Sequence, residues 1–133
     1  TSITLSTFAP GKMVHMALAT HMTPVCDCFG FTSMPILQDV GIFGSNDIVA
    51  LEQAVLDMTG QYPLIEENVP TSMEVITRTG HPFTWIHGPH KDPYKVVEYG
   101  EALGLGTRSY ELVDVLPVED IRPAPIGYIP AGG

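Results

Sequence analysis

Thirteen glycines and twelve prolines, 25 of 133 residues, punctuate this chain along most of its length. Proline lacks the backbone N–H, and glycine loses more backbone freedom on folding than any other residue. Much of the chain is therefore expected in turns and extended loops, with regular structure in the pieces between them. The remaining residues still carry core material: 44% are hydrophobic, with a mean hydropathy of +0.17. Charged residues make up 16%, against about 25% in ordinary soluble domains. One packed unit is expected rather than a disordered chain.

Six Lys and Arg against fifteen Asp and Glu give a net charge of −9. That sign repels phosphate backbones, so no nucleic-acid partner is expected. No apolar run approaches ~18 residues, so no membrane-spanning helix is expected either, and no signal peptide is visible. The chain opens on Thr1, and residues 1–10 run straight into strand-like sequence. The first feature fits a processed chain or a piece of a longer protein, and the second favours the piece.

The pieces between breakers read as follows. Lys12 to Met22 alternates, with Val14, Met16, Leu18, Thr20 and Met22 on one side and His15, Ala17, Ala19 and His21 on the other. Period two argues a strand. The larger even side is expected to be core, and the small odd side lets a helix or ligand approach closely. Val40–Phe43 reads as a second strand between Gly41 and Gly44. Ser45, Asn46 and Asp47 open a helix capped by Ser45 or Asn46, with an apolar stripe through Leu51, Ala54, Val55 and Met58 and a stop at Gly60. Residues 61–90 read as irregular, with a short strand at 73–77. Asp92 as cap and Pro93 as first residue open a second helix that runs to about Leu103 and stops at Gly104 or Gly106. Tyr110 to Leu116 alternates as a strand, and residues 117–133 form a Pro/Gly-rich tail. The order predicts a layered α/β unit: a small sheet of three to four strands with two helices, half of a larger domain.

Chemistry concentrates at Cys26-Asp27-Cys28. A disulfide across one intervening residue is badly strained, so a reduced, cytoplasmic setting is expected. Residues two apart in extended chain point the same way, so both sulfurs can face one ion. Two thiolates are half of a tetrahedral site. His21, five residues upstream across the Thr23-Pro24 bend, is the nearest third ligand, giving a candidate metal set of Cys26, Cys28 and His21. His15 lies too far along the strand to share it. The plainer reading makes both cysteines small buried groups under a loop. His81, His87 and His90 could gather at the Gly88-Pro89 turn, but solvated loop histidines is the stronger reading. Asp39 and Asp47 could converge at the end of the second strand; turn chemistry and helix capping are the stronger readings. Glu52 and Asp57 read as solvated helix carboxylates.

Several of these residues, taken in order, are familiar. Gly11-Lys12 precedes the apolar strand. Thr23-Pro24 leads into Cys26-Asp27-Cys28, then Pro35-Ile36, then Asp39 with Gly41-Ile42-Phe43, then Asp47 and the helix through Ala54 and Asp57. With Glu98-Tyr99, Gly104, Gly106, Arg108 and Tyr110 to Leu112, this order resembles the uncharacterised iron–sulfur-centre protein family over about residues 11–116. The family's shared region is itself a domain of unknown function. Many members carry a ferredoxin-like insert with C-x-x-C-x-x-C runs upstream; this chain has none and resembles the C-terminal half alone. It also has Asp47-Ile48 where the family usually has Asp-Pro. The resemblance implies an iron–sulfur or redox context in cytoplasm, with a cluster held mainly elsewhere in the full protein. Its expected partners are the remainder of that protein or a ferredoxin-like protein, with self-association through an open sheet edge.

Three functions compete on these residues. The first is an electron-transfer module of an iron–sulfur protein with a Cys-Asp-Cys site at the metal or beside the cluster. The second is a zinc enzyme on the same Cys/His set, with Asp27 or Asp39 as general base. The third is a structural half-domain without chemistry.

Overall fold

The computed structural model describes residues 2–9 and 11–115. The tail at 117–133 and Leu116 lie outside the described residues. Four helices and two strands follow in chain order: α1 (Ser2–Ser6), β1 (His15–Ala19), β2 (Gly41–Ser45), α2 (Ile48–Thr59), α3 (Pro82–His87) and α4 (Tyr94–Ala102). Single 3-10 turns stand at Asp27–Phe29, Glu66–Asn68 and Pro89–Lys91. The fold is a small α/β unit. Residues 1–10, read as strand-like, instead contain α1, and the irregular stretch 61–90 contains α3.

β1 and β2 pair antiparallel, with Met16 opposite Gly44, Ala17 opposite Phe43 and Leu18 opposite Ile42. Among the described residues the sheet has these two strands. Segment 73–77 is not a strand; its Ile76 amide bonds the Trp85 carbonyl at the end of α3 instead (2.6 Å). Residues 110–115 alternate in sequence but do not join the sheet.

α2 is the organising helix. Asp47, in extended conformation (φ −116°, ψ 115°), is its N-cap. One carboxylate oxygen accepts from the Val49 and Ala50 amides, at 2.8 and 3.0 Å. Such a cap satisfies donors that a helix start otherwise leaves without partners. Ser45, expected as a cap, instead accepts the Asp47 amide through its hydroxyl (3.0 Å). At the far end the Gly60 amide bonds the Leu56 carbonyl.

α2 lies across both strands and against α4. Val49, Ala50, Leu51 and Ala54 are buried on its inner face. The sheet presents its small side to this helix: Ala19 is buried, whereas Met16 and Leu18 are 68% and 65% exposed. The even side of β1 was expected to be core. Alternation distinguishes two faces without saying which is covered. The alanine face allows the closer helix approach, and α2 takes it.

A second core sits beside the sheet. Ile36, Leu37, Leu64 and Ile86 form it, with Met73 and Trp85 packed around them. Loops supply most of these residues, and backbone bonds fix the loops. The Ile36 amide donates to the Met22 carbonyl (2.8 Å), the Ile65 amide donates to the Ile36 carbonyl (2.9 Å), and the Asn68 side-chain amide donates to the Pro35 carbonyl (2.7 Å).

α4 begins at Tyr94 with Pro93, not Asp92, at the cap position; Asp92 stands one residue earlier and accepts the Tyr94 amide (3.0 Å). After it, Gly104 adopts φ +69°, which turns the chain back over the start of α2. There the Thr107 amide reaches the second Asp47 oxygen (2.9 Å). Gly106 lies so close that an added Cβ would stand 2.0 Å from the Asp47 carboxylate.

Two outcomes follow for stability. Leu51→Ala should lower the unfolding free energy by about 2–5 kcal/mol in urea titrations; a loss below about 1 kcal/mol would place Leu51 outside the packed face. Gly106→Ala should cost about 1–3 kcal/mol. The cost should shrink in an Asp47→Ser background, where a shorter cap leaves room for the methyl group. Equal costs in both backgrounds would deny the contact.

Candidate functional site

The cysteine loop hangs between β1 and the loop core. It leaves the sheet at His21, whose backbone has φ +51°, a left-handed conformation unusual outside glycine. Asp39 holds that turn by accepting the His21 amide at 2.6 Å. The loop is tied again at Thr23, whose hydroxyl donates to the Val25 carbonyl (2.9 Å). Pro24 is buried, and its carbonyl meets the Nε2 of His87 on α3 (2.9 Å). The chain then closes the 3-10 turn at Asp27–Phe29, with the Phe29 amide on the Cys26 carbonyl (3.2 Å).

Both thiols stand on this turn, and both are exposed. The structure therefore corrects the reading of Cys26 and Cys28 as buried packing groups. The Cys28 thiol is pushed up from its ordinary range, first by its hydrogen bond with Cys26, then by desolvation and by the charge of the Cys26 thiolate. That places the two sulfurs next to each other. Two adjacent thiols offer a soft, two-point donor set, which suits zinc or iron. Among the described residues no group of three His, Cys, Asp or Glu side chains forms a metal-sized cluster.

The carboxylates considered as ligands have structural engagements. Asp39 serves the His21 turn, and Asp47 caps α2 while holding Thr107. Asp57, read as solvated, is a junction. Its two oxygens accept from the Tyr94 hydroxyl (3.0 Å), the Gln53 amide (2.9 Å) and the Tyr110 hydroxyl (2.8 Å). Burial, then the Asp57 bond and charge, raises the Tyr94 phenol to about 12. One acid thus joins α2 to α4 and to segment 110–115. Nothing in the spacing of Asp57, Tyr94 and Tyr110 announces the junction, because it forms across three separate pieces of chain.

The three histidines do not act together. His90 is exposed, and His87 reaches Pro24. His81 is 3% exposed and caps α3, contrary to its reading as a solvated loop residue. Its Nδ1 accepts the Phe83 amide (3.2 Å), so its Nε2 carries the proton and donates to the Thr59 hydroxyl at 3.0 Å. The Thr59 hydroxyl in turn donates to the Val55 carbonyl (2.7 Å). Every polar atom of this ring is matched only when it is neutral.

No family model, no curated protein and no solved structure matches the chain. No helix among the described residues is long and apolar enough to cross a membrane.

Burial lowers the His81 pKa, against smaller opposing pulls from the Asp92 charge, the Leu56 backbone carbonyl and the Asp57 charge. The unfolded chain then binds a proton near pH ~6.5 that the folded chain refuses. Stability from this group is present above that pH and is lost as pH falls below it toward the folded value. Urea unfolding across this interval should show the loss. His81→Asn, which can still cap α3 but does not titrate, should flatten it. An unchanged slope would assign the pH dependence elsewhere.

Proposed function

We propose that this chain is the thiol-bearing module of an iron–sulfur or related redox protein of the cytoplasm. Cys26 and Cys28 present two sulfurs to one metal centre, with His21 at the base of the same loop as a third donor. The observation that carries this reading is the pair of adjacent, exposed thiols on a turn anchored by Asp39 and His87. Structural cysteines are normally among the most buried residues in a protein, and an exposed adjacent pair has no packing role to explain it.

The donor set fits such a centre in part. A [4Fe–4S] cluster takes four thiolates, and a structural zinc takes four ligands. This chain would contribute two sulfurs, and one imidazole if the His21 ring moves in from the base of the loop, so the remaining ligands belong to another part of the protein or to a ferredoxin-like partner. A bound cluster supplies one-electron transfer. The chain's own share is to hold two thiols at the surface and to keep them close. The anchored loop limits the entropy lost when both bind. Thiolate ligation needs deprotonated sulfur, so binding releases protons and weakens as pH falls.

Metal content after anaerobic purification separates the classes. Iron with visible absorbance supports the redox module, and stoichiometric colourless zinc supports a zinc enzyme. Cobalt(II) titration of the chain should give thiolate-to-metal absorbance whose affinity rises with pH toward the thiol range. Replacing both Cys26 and Cys28 by Ser should abolish it without unfolding the chain. His21→Ala should weaken binding, whereas His15→Ala should not. Full metal binding by the double variant would make the thiols bystanders.

A further inference from the structure

A slot of about 770 Å³ runs along the outer edge of β2. One wall is β2 itself from Gly41 to Ser45, and the opposite wall is residues 110–115. Ala50, Leu51, Ala54 and Met58 of α2 line its floor. Among the described residues β2 pairs with β1 on one side only, so its other edge carries backbone donors and acceptors that a strand would satisfy. The facing wall is held in place from below by the Tyr110–Asp57 bond, yet makes no ladder with β2. Exposed apolar side chains line the slot on both sides: Ile42 from the sheet, Leu112, Val113 and Val115 from the facing wall.

We propose that this slot receives one β-strand from a separate partner protein. The strand pairs with β2 on one side and with 110–115 on the other, completing a sheet of four strands. The two walls demand backbone N–H and C=O groups along both edges of the occupant, which only a proline-free extended segment supplies. The apolar floor and the apolar flanks demand apolar side chains on both of its faces. Glu111 and Asp114 in the facing wall, within a chain of net charge −9, favour a strand flanked by Lys or Arg.

Two nearer occupants fit worse. Residues 116–133 contain Pro117, Pro123, Pro125 and Pro130, and the longest proline-free run, 118–122, has adjacent Glu119 and Asp120. In a strand that pair puts a carboxylate on each face. A second copy has β1 and β2 already paired to each other, and its 110–115 segment would bring Glu111 and Asp114 beside the same acids.

Amide hydrogen exchange of the full chain tests this, read by NMR at β2 and at 110–115. The probe is an acetylated, amidated peptide of five valines and isoleucines between two lysines; the control carries proline at its centre. In the chain alone, the β2 amides not bonded to β1 and the 110–115 amides should exchange freely. Saturating probe should slow both walls by roughly tenfold, and the control should not. Val113→Pro, at an exposed position, should remove the protection of 110–115. Protection already present without peptide would overturn the proposal: loss on trimming to Val115 would assign the slot to the tail, and growth with chain concentration would assign it to a second copy. Protection of β2 alone, or none with the probe, would overturn it as well.

Discussion

The Asp47 carboxylate is the interaction on which the rest of the structure leans. One oxygen starts α2 by accepting two of its free amides, and the other accepts the Thr107 amide, 60 residues away. A helix cap is ordinarily a local device worth roughly 1 kcal/mol. Here the same group also fixes where the chain lands after α4. The glycine at 106 permits this, since any side chain there would occupy the carboxylate's own space. Asp57 repeats the arrangement near the other end of α2 with two tyrosines. One short helix therefore sets the positions of α4 and segment 110–115 through two acids. Both engagements explain why carboxylates that could have been ligands are committed to the fold.

The sheet shows how a small chain divides its apolar surface. α2 covers the alanine face of β1, because small side chains let a helix axis come near. The bulkier Val14, Met16, Leu18 and Ile42 remain exposed on the opposite face. Contiguous exposed apolar groups of this kind mark a surface that another element covers. The second core, built from Ile36, Leu37, Leu64 and Ile86, lies aside from the sheet and stabilises the loops instead. Those loops position the cysteine turn, through the Ile36–Met22 bond on one side and the His87–Pro24 contact on the other. The thiol pair and the open sheet edge thus belong to different parts of the fold, and their roles can be tested separately.

Several elements were legible in the residues alone, each for a local reason. α2 follows from a capping residue, an apolar stripe and a stopping glycine. α4 follows from Asp92 and Pro93. β1 and the core of β2 follow from alternation and flanking glycines. The two cysteines stand out because no disulfide can join them without strain. Local chemistry of this kind needs no knowledge of what lies across the fold.

Tertiary structure decided the rest. Which face of β1 is covered depended on which one α2 could approach, and period two is the same from either side. Whether 110–115 pairs with β2 depended on Tyr110 reaching Asp57 from 53 residues away. His81 became a buried, neutral cap because Thr59 came to meet it from α2, 22 residues back in the chain. The sequence by itself determined where helices and strands can start and stop, because caps, breakers and alternation act over a few residues. Which side chains are buried, paired or left at an open edge was determined by contacts between distant segments, which no local pattern records.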